Sequence, residues 1–576
     1  MRICCTPRTP RIFPVLLAVT LLVGCLAAMP ARAADDTAQF MRQQLEQLHF
    51  GEQKQIGAEP IYTAGLLLDL YRKNQFQLLW TSKDTVNQLR GAIIASAEEG
   101  LIPDDYHLQA INRIDKEITP SASPSSLVEY DIILSDSLLL LGQHKRYGKV
   151  DPATVEERKN LKPGSPRSSL LDAQLLSIQT GTVRAALEAL TPNHQAYTSL
   201  KKALNDYRKL SGTGGGWSKV PQGPSLKPGM QDDRVKALRN RLLATGELKQ
   251  KSADPTLYDD TVMAAVKVFQ TRHHLEPDGV AGKSTIDAMN VTAAERVNQI
   301  RVNLERARWI FHDMPSSSII IDIAGFMLQY YHEKLPVWRT KVMVGQPFNQ
   351  TPIFRSAITY LVVNPTWTIP PEIVKNETVP RILTEKNYLA KQHLRILTST
   401  GEEVNPTSVP WRQFMGKYLP YTLRQDPGEE NSLGLIKFIF PNPHHVYLHD
   451  TPSKALFDRT QRAFSHGCIR VQNPLELGRR LLTNDLGNPV NEAKFNQILS
   501  SGKTTTVILK QPLPIYLMYL TANVQDGRIM FKPDLYNRDQ GIFEALNAQP
   551  SPVQAEELTE VKEQPVATSS NTEKPS

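Results

Sequence analysis

Cysteine is scarce in this chain, with four among 576 residues. Three of them, Cys4, Cys5 and Cys25, fall within residues 1–33. If that segment is a leader, the mature chain keeps only Cys468 and can form no internal disulfide, which excludes a disulfide-stapled fold. The remaining thiol is then either a small buried hydrophobe or a reactive group. A large excess of one charge is also missing. The formal charge of +8 falls to +4 once the four arginines of residues 1–33 are removed, so nucleic acid is not an expected partner. Only one long apolar run occurs, Ile12 to Ala28, and it is marginal for spanning a bilayer. With 40% hydrophobic and 22% charged residues, the composition excludes a polytopic membrane protein, a collagen-like chain and wholesale disorder.

Several catalytic motifs are absent too. No H-E-x-x-H occurs, and His273 with His274 and His444 with His445 are adjacent rather than four apart, so no metal is implied. Ser199–Lys202 and Ser500–Lys503 fit S-x-x-K but lack K-T-G and S-D-N partners, which argues against a penicillin-binding serine enzyme. Gly502-Lys503-Thr504 has Gln497 where a P-loop requires glycine. No cofactor is expected.

The start of the chain reads as an export signal. Arg2, Arg8 and Arg11 precede the apolar run, and Ala31-Arg32-Ala33 forms a small-x-small cleavage pattern, so residues 1–33 are expected to be a signal peptide. Leu22 to Cys25 also spells a lipobox, leaving lipid attachment at Cys25 or a retained anchor as alternatives. Each reading puts the rest of the chain outside the cytoplasm.

At about 150 residues per domain the length calls for three or four domains. Residues 34–210 are helical in pattern: Tyr197, Leu200, Leu204 and Tyr207 recur at three- and four-residue steps, and Leu66–Tyr71 and Ile132–Leu141 read as buried helix. Residues 211–229, with six glycines and three prolines, read as a linker between independent units. Three short helices follow in 230–290, with apolar faces at Val235, Leu238, Leu242 and at Val262, Val266, Phe269, and a capping box at Ser284 and Asp287 opening the third. From 291 to 535 a helical connector leads into strands at Ile319–Ile323, Phe326–His332, Val342–Val344, Ile358–Val363, Lys437–Phe440 and Val446–Leu448. Polar and helical sequence at about 371–431 interrupts them as an inserted lid. The tail, 548–576, is rich in Pro, Ser, Thr, Gln and Glu and is expected to be disordered. The expected fold class is multidomain α+β: a helical N-terminal scaffold domain, a small three-helix domain, and a β-rich mixed-sheet sandwich carrying the lid.

Cys468 lies in Ser465-His466-Gly467-Cys468-Ile469-Arg470, and Asn473, Pro474 and Glu476 predict a helix opening just beyond it. A helix N-terminus, a histidinium or an arginine lowers a thiol pKa, and Gly467 lets backbone amides approach a developing oxyanion. A cysteine nucleophile needs a base. His449, at the end of a predicted strand nineteen residues upstream, is assigned that role, and His466 a supporting one.

A histidine, a short gap, then Ser/Thr-His-Gly-Cys and an arginine resembles the signature of the L,D-transpeptidase (YkuD-type) catalytic domain, here His449, Ser465 to Cys468, and Arg470. Val363-Asn364-Pro365, Trp367, Asp426-Pro427-Gly428, Asn431 and Leu433-Gly434 further resemble its YcbB-like branch. Phe269-Gln270 and the Asp278 to Gly282 turn resemble the peptidoglycan-binding domain family, whose alternative is a plain three-helix packing module. The resemblance implies a cell-wall enzyme. Cys468 would attack the bond between the third stem-peptide residue, a diamino acid, and D-alanine. His449 would move the proton, Gly467 and Cys468 amides with Tyr447 would hold the oxyanion, Arg470 would pair with a substrate carboxylate, and Trp367 would line the donor pocket. A second stem would resolve the thioester into a 3-3 crosslink. Water, a free D-amino acid or a protein lysine remain alternative acceptors, and a non-catalytic wall-binding scaffold remains the rival of another class. Implied partners are peptidoglycan stem peptides, glycan synthases and D,D-carboxypeptidases, and the implied location is a Gram-negative periplasm.

Overall fold

The computed structural model describes residues 36–553 apart from 53, 120–121, 156–166, 213–215, 252, 313 and 485–489. The leader expectations, including cleavage after Ala33 and lipidation at Cys25, lie outside the described residues, as does the tail beyond 553. Among the described residues no helix is long and apolar enough to cross a membrane.

Among the described residues, buried apolar side chains gather into four clusters. The first surrounds the Pro124–Tyr147 helix, which opens on a Ser123 cap with proline in its first turn. Apolar residues run all round this helix, as a helix central to a bundle requires. Its two buried acids are satisfied locally. Asp131 accepts from the Leu79 and Trp80 amides at 3.0 and 2.9 Å, and Asp136 from the Thr63 amide at 2.8 Å.

The second cluster belongs to the helices Arg234–Ala244, Asp260–Arg272 and Lys283–Asn290, with Val235, Leu238, Val262, Phe269 and Ile286 fully buried. Two local expectations differ here. Ser284 and Asp287 form no capping box. Gly282 occupies the cap position without a side-chain bond, and Asp287 instead pairs with Lys283 at 2.7 Å. Nor is the Gly/Pro stretch a free spacer between independent units. Val220 and Leu226 enter the three-helix core, and the Trp217 ring lies 3.7 Å from the buried Arg241 guanidinium. Local composition could not report that the few apolar residues inside the stretch find partners.

The third and largest cluster fills a β-domain built on nine strands: β1 Ser318–Asp322, β2 Met327–His332, β3 Leu335–Gly345, β4 Phe354–Val363, β5 Ile436–Ile439, β6 Leu448–His449, β7 Ala463–Ser465, β8 Ile469–Val471 and β9 Thr505–Met518. The sheet order is β7-β3-β8-β6-β5-β4-β9-β1-β2, and β2 pairs back onto β3, so the sheet closes on itself. Pairing is mixed: β6 with β8, β7 with β3 and β9 with β1 are parallel, the others antiparallel. The domain therefore joins α and β parts as the sequence patterns indicate. Its core also recruits the Gln195–Gly212 helix through Tyr197, Leu200, Leu204 and Tyr207, packed beside the Ala293–Ile310 helix. The last helix of the expected N-terminal segment is thus part of the β-domain's core. At the other end, the Asp539–Asn547 helix buries Ile542 and Leu546 in the same core, beyond the expected boundary at 535. Residues 548–553, expected as the start of a disordered tail, return to the N-terminal bundle, where the Val553 amide donates to Tyr62 O at 2.7 Å.

The insertion between β4 and β5 has a core of its own, with Ile369, Val379, Ile396 and Leu423 buried. It contains a three-stranded sheet of Trp367–Thr368, Thr422–Gln425 and Leu394–Leu397 beside short helices. Trp367 begins this unit.

Candidate active site

The site is a consequence of strand alternation. Ile436, Phe438, Leu448, Ile469 and Val471 are fully buried on the core side of β5, β6 and β8. Their alternate neighbours Lys437, His449 and Arg470 therefore share the opposite face. Register aligns them, with Lys437 opposite His449 and His449 opposite Arg470, so the three form one row across three adjacent strands. One step along, the Ile469 amide donates to Tyr447 O at 3.1 Å, which sets Tyr447 beside Cys468 on the same face. The nineteen-residue gap between His449 and Cys468 exceeds the roughly a dozen residues that a connection between parallel neighbours requires, and it also holds β7.

The cysteine turn is held by its own polar groups. Ser465 Oγ donates to Cys468 O at 2.5 Å and accepts from the Gly467 amide at 3.2 Å. Thr351 Oγ1 donates to Gly467 O at 2.8 Å. Gly467 has φ +111°, a conformation that any side chain would strain, although space for a Cβ exists there. The Gly467 amide is thus engaged, whereas the Cys468 amide has no acceptor among the described residues. This differs from the expectation of two amides ready for an oxyanion.

The expected helix does open at Pro474, but β8 lies between it and the thiol, so its N-terminus is not at Cys468. Asn473 also makes no side-chain cap bond. Accordingly the thiol is not activated at rest: burial pushes its pKa up, against the Tyr447 amide and hydroxyl and the Arg470 and Lys437 charges, which pull it down. Its Sγ lies 3.6 Å from His445 O. Burial, then the Arg470 charge, lowers His449 to about 3, so the imidazole is neutral. His449 Nδ1 sits 2.5 Å from Asp450 O, an acceptor only, so Nδ1 carries the proton and Nε2 offers its lone pair.

Of the other expected residues, Arg470 belongs to the row, and its Nε is buried without an acceptor. Tyr447 adjoins the thiol. His466 is exposed and turns to the insertion, where its Nε2 meets Glu377 Oε1 at 2.6 Å. Trp367 packs against the insertion's apolar cluster. Sequence reasoning missed Lys437 and Glu377. Lys437 was legible as an alternate position of a predicted strand whose other members are apolar. Nothing local marked Glu377, 89 positions upstream of His466 in a short helical segment of the insertion.

A family model described as "L,D-transpeptidase catalytic domain" (YkuD) matches residues 316–492, which span β1 to β8 and both His449 and Cys468. Residues 231–289 match a "Putative peptidoglycan binding domain" and residues 65–204 a "Scaffold domain". Two segments of the chain are thus similar to an L,D-transpeptidase catalytic domain of the YkuD family and to a peptidoglycan-binding domain. A curated protein of Haemophilus influenzae, named "Putative L,D-transpeptidase", is 34% identical over 246 residues, covering 42% of this chain and 48% of that protein. The chain therefore spans about half the length of this relative. Among solved structures, an L,D-transpeptidase from Stackebrandtia nassauensis is 12% identical, with 52% of this chain and 96% of that one covered and a TM-score of 0.20. One from Xylanimonas cellulosilytica is 14% identical, with 52% and 99% covered and a TM-score of 0.15.

Proposed function

We propose that this chain is an exported cell-wall L,D-transpeptidase whose nucleophile is Cys468. The observation that carries this reading is the parallel register of β6 with β8, which sets His449 and, just before β8, Cys468 on one face beside Arg470, whose Nε is buried without an acceptor. His449 Nε2 takes the thiol proton as Sγ adds to the carbonyl joining the third stem residue to D-alanine. The tetrahedral oxyanion is held by the Cys468 amide and the Tyr447 hydroxyl, with the Gly467 amide joining if it releases Ser465. One such donor contributes about 2.7 to 4 kcal/mol to the transition state. Collapse breaks the C–N bond, the imidazolium returns its proton to the leaving D-alanine amine, and a thioester remains. The side-chain amine of a second stem attacks the thioester, an amide forms, and the thiol is restored. One amide replaces another, so no ATP is needed.

Arg470 pairs with a donor carboxylate in this reading. The three-helix domain holds the enzyme on the glycan mesh, residues 1–33 direct export, and the enzyme works in a periplasm on tetrapeptides that D,D-carboxypeptidases supply. The test is incubation of the wild type and Cys468→Ala with tetrapeptide-rich sacculi, followed by mass spectrometry of muropeptides. Wild-type-only dimers linked between third residues, with D-alanine released, support the reading. Tripeptides without dimers shift the acceptor to water. Binding without any change by either protein leaves a wall-binding scaffold.

A further inference from the structure

Lys437 has no role in the mechanism above, yet it occupies the row that contains the base. Its strand neighbours Ile436 and Phe438 are fully buried, so alternation commits its side chain to the reacting face rather than to solvent on the far side of the sheet. It stands directly opposite His449, with Nζ 5.7 Å from the centre of the Tyr447 ring. No carboxylate among the described residues pairs with it, and none pairs with Arg470 on the other side of His449. Elsewhere in the chain some buried cations have a carboxylate, as Lys145 with Glu99, Arg308 with Glu305 and Lys532 with Asp322, and others, as Arg241 and Arg462, donate to carbonyl oxygens, whereas Lys437 Nζ has neither among the described residues. A half-buried lysine without an anion is costly unless an anion arrives.

Stabilising a resting thiolate does not account for the two charges. Burial keeps the thiol raised despite them, and burial lowers Lys437 itself, a shift that only the thiolate form of Cys468 opposes. A charged guest at this row would give both cations the partner that the described residues do not supply. Resting on the transpeptidase reading, the guest at this row is the donor stem, whose reacting segment carries a carboxylate on the terminal D-alanine and another on a diamino acid of the dicarboxylic kind. We propose that Lys437 is a substrate-recognition residue that, from the opposite side of His449 to Arg470, pairs with a carboxylate of the donor stem peptide and sets the scissile bond over Cys468. Two cations spaced across one strand fit a donor with two carboxylates better than a single ion pair would. Lysine, a point charge on a flexible stem, suits an anion that must be drawn in beside an aromatic ring.

The experiment compares wild type, Lys437→Met, Lys437→Gln and Lys437→Arg on three soluble tetrapeptide donors: the free acid, its C-terminal amide, and its diamino-acid carboxamide. Acyl-enzyme formation is followed by mass spectrometry and D-alanine or D-alaninamide release by chromatography, and folding is checked by thermal unfolding. The expected result is a loss of about tenfold to a hundredfold in kcat/KM for Lys437→Met and Lys437→Gln on the free acid, as for a charge-assisted hydrogen bond. The same loss appears in wild type on one amidated donor, and the variants then lose nothing further on that donor. The donor that behaves this way identifies which carboxylate is bound. Lys437→Arg retains most of the rate. Equal losses on all three donors, in a folded variant, overturn carboxylate recognition in favour of packing against Tyr447. Unchanged rates also overturn it. A wild type that releases no D-alanine from any donor overturns the transpeptidase reading, and this proposal falls with it.

Discussion

His466 and Glu377 meet across 89 positions of sequence, imidazole Nε2 to carboxylate Oε1 at 2.6 Å, and so tie the inserted subdomain to the turn that carries Cys468. Glu377 lies in the π-helical turn Val374–Thr378, and both side chains are about half exposed. An exposed pair of this kind contributes about 0.2 to 1 kcal/mol and is screened by salt. Glu377→Gln is therefore expected to raise hydrogen exchange or protease cleavage in 371–425 by up to about fivefold at low salt. The difference shrinks in high salt, and thermal stability of the whole protein stays within about 0.5 kcal/mol of wild type. An unchanged exchange pattern in the insertion would show that the contact does not restrain it.

The phenylalanine-glutamine pair of the three-helix domain acts inside the fold. Phe269 is fully buried and stacks on His273 with centroids 3.7 Å apart. Gln270 Nε2 donates to Asp278 Oδ1 at 2.8 Å and to Val280 O at 3.0 Å, while its Oε1 accepts from the Gly279 amide at 2.9 Å. One buried amide thus holds the whole Asp278 to Gly282 turn. Gln270→Ala leaves those groups unsatisfied and is expected to cost about 1 to 3 kcal/mol in chemical denaturation, with Cys468 alkylation in the native state unchanged. A variant of wild-type stability would remove the turn-holding role.

Legibility followed the range of the interactions. The strand at Lys437–Phe440 and the adjacency of the Cys468 turn to the strand carrying His449 were readable because period-two patterning and motif spacing are local. The long strand β9, central between β4 and β1, was not anticipated. Pro512 and Pro514 argue against a central strand, yet the register shift between Ile508 and Leu513 absorbs the first of them. Recruitment of Tyr197 to Tyr207 by the β-domain was equally hidden, since an apolar helix face announces that it is covered but not by what. The neutral resting state of the site depends on how deeply Cys468 and His449 sit, which composition does not encode.

In the N-terminal bundle His107 is buried between Asp136, at 2.9 Å from its Nε2, and Glu59, at 3.3 Å from its Nδ1. Burial opposes its charge, but hydrogen bonds and charges from both acids outweigh burial and push it up to about 9. A folded pKa above the unfolded value of about 6.5 means the folded state holds its proton more tightly. The contribution is fully present below about pH 6.5 and is lost as pH rises through about 9. Denaturation midpoints of wild type should therefore fall between pH 6.5 and 9.5 relative to those of His107→Gln, and the gap should be constant at lower pH. A gap independent of pH throughout would mean that His107 is neutral.

At the Cys468 turn burial acts against charge on both groups, and the consequence is kinetic. Burial raises the Cys468 thiol, and burial followed by the Arg470 charge lowers His449 to about 3. At neutral pH the pair is therefore thiol and neutral imidazole, with no preformed thiolate-imidazolium. Alkylation of Cys468 by iodoacetamide should then rise in a single limb whose midpoint lies above the usual free-thiol value of about 8.5, with no plateau of reactivity between pH 4 and 7. Because the Arg470 and Lys437 charges pull the thiol down against burial, Arg470→Gln should move that limb to higher pH. Under the proposed mechanism, His449→Asn should leave the limb single while abolishing D-alanine release, because there the base acts as the carbonyl is attacked and not to ionise the thiol beforehand. A reactive plateau at pH 5 in wild type, lost in His449→Asn, would instead establish an ion pair at rest and overturn the neutral-pair mechanism.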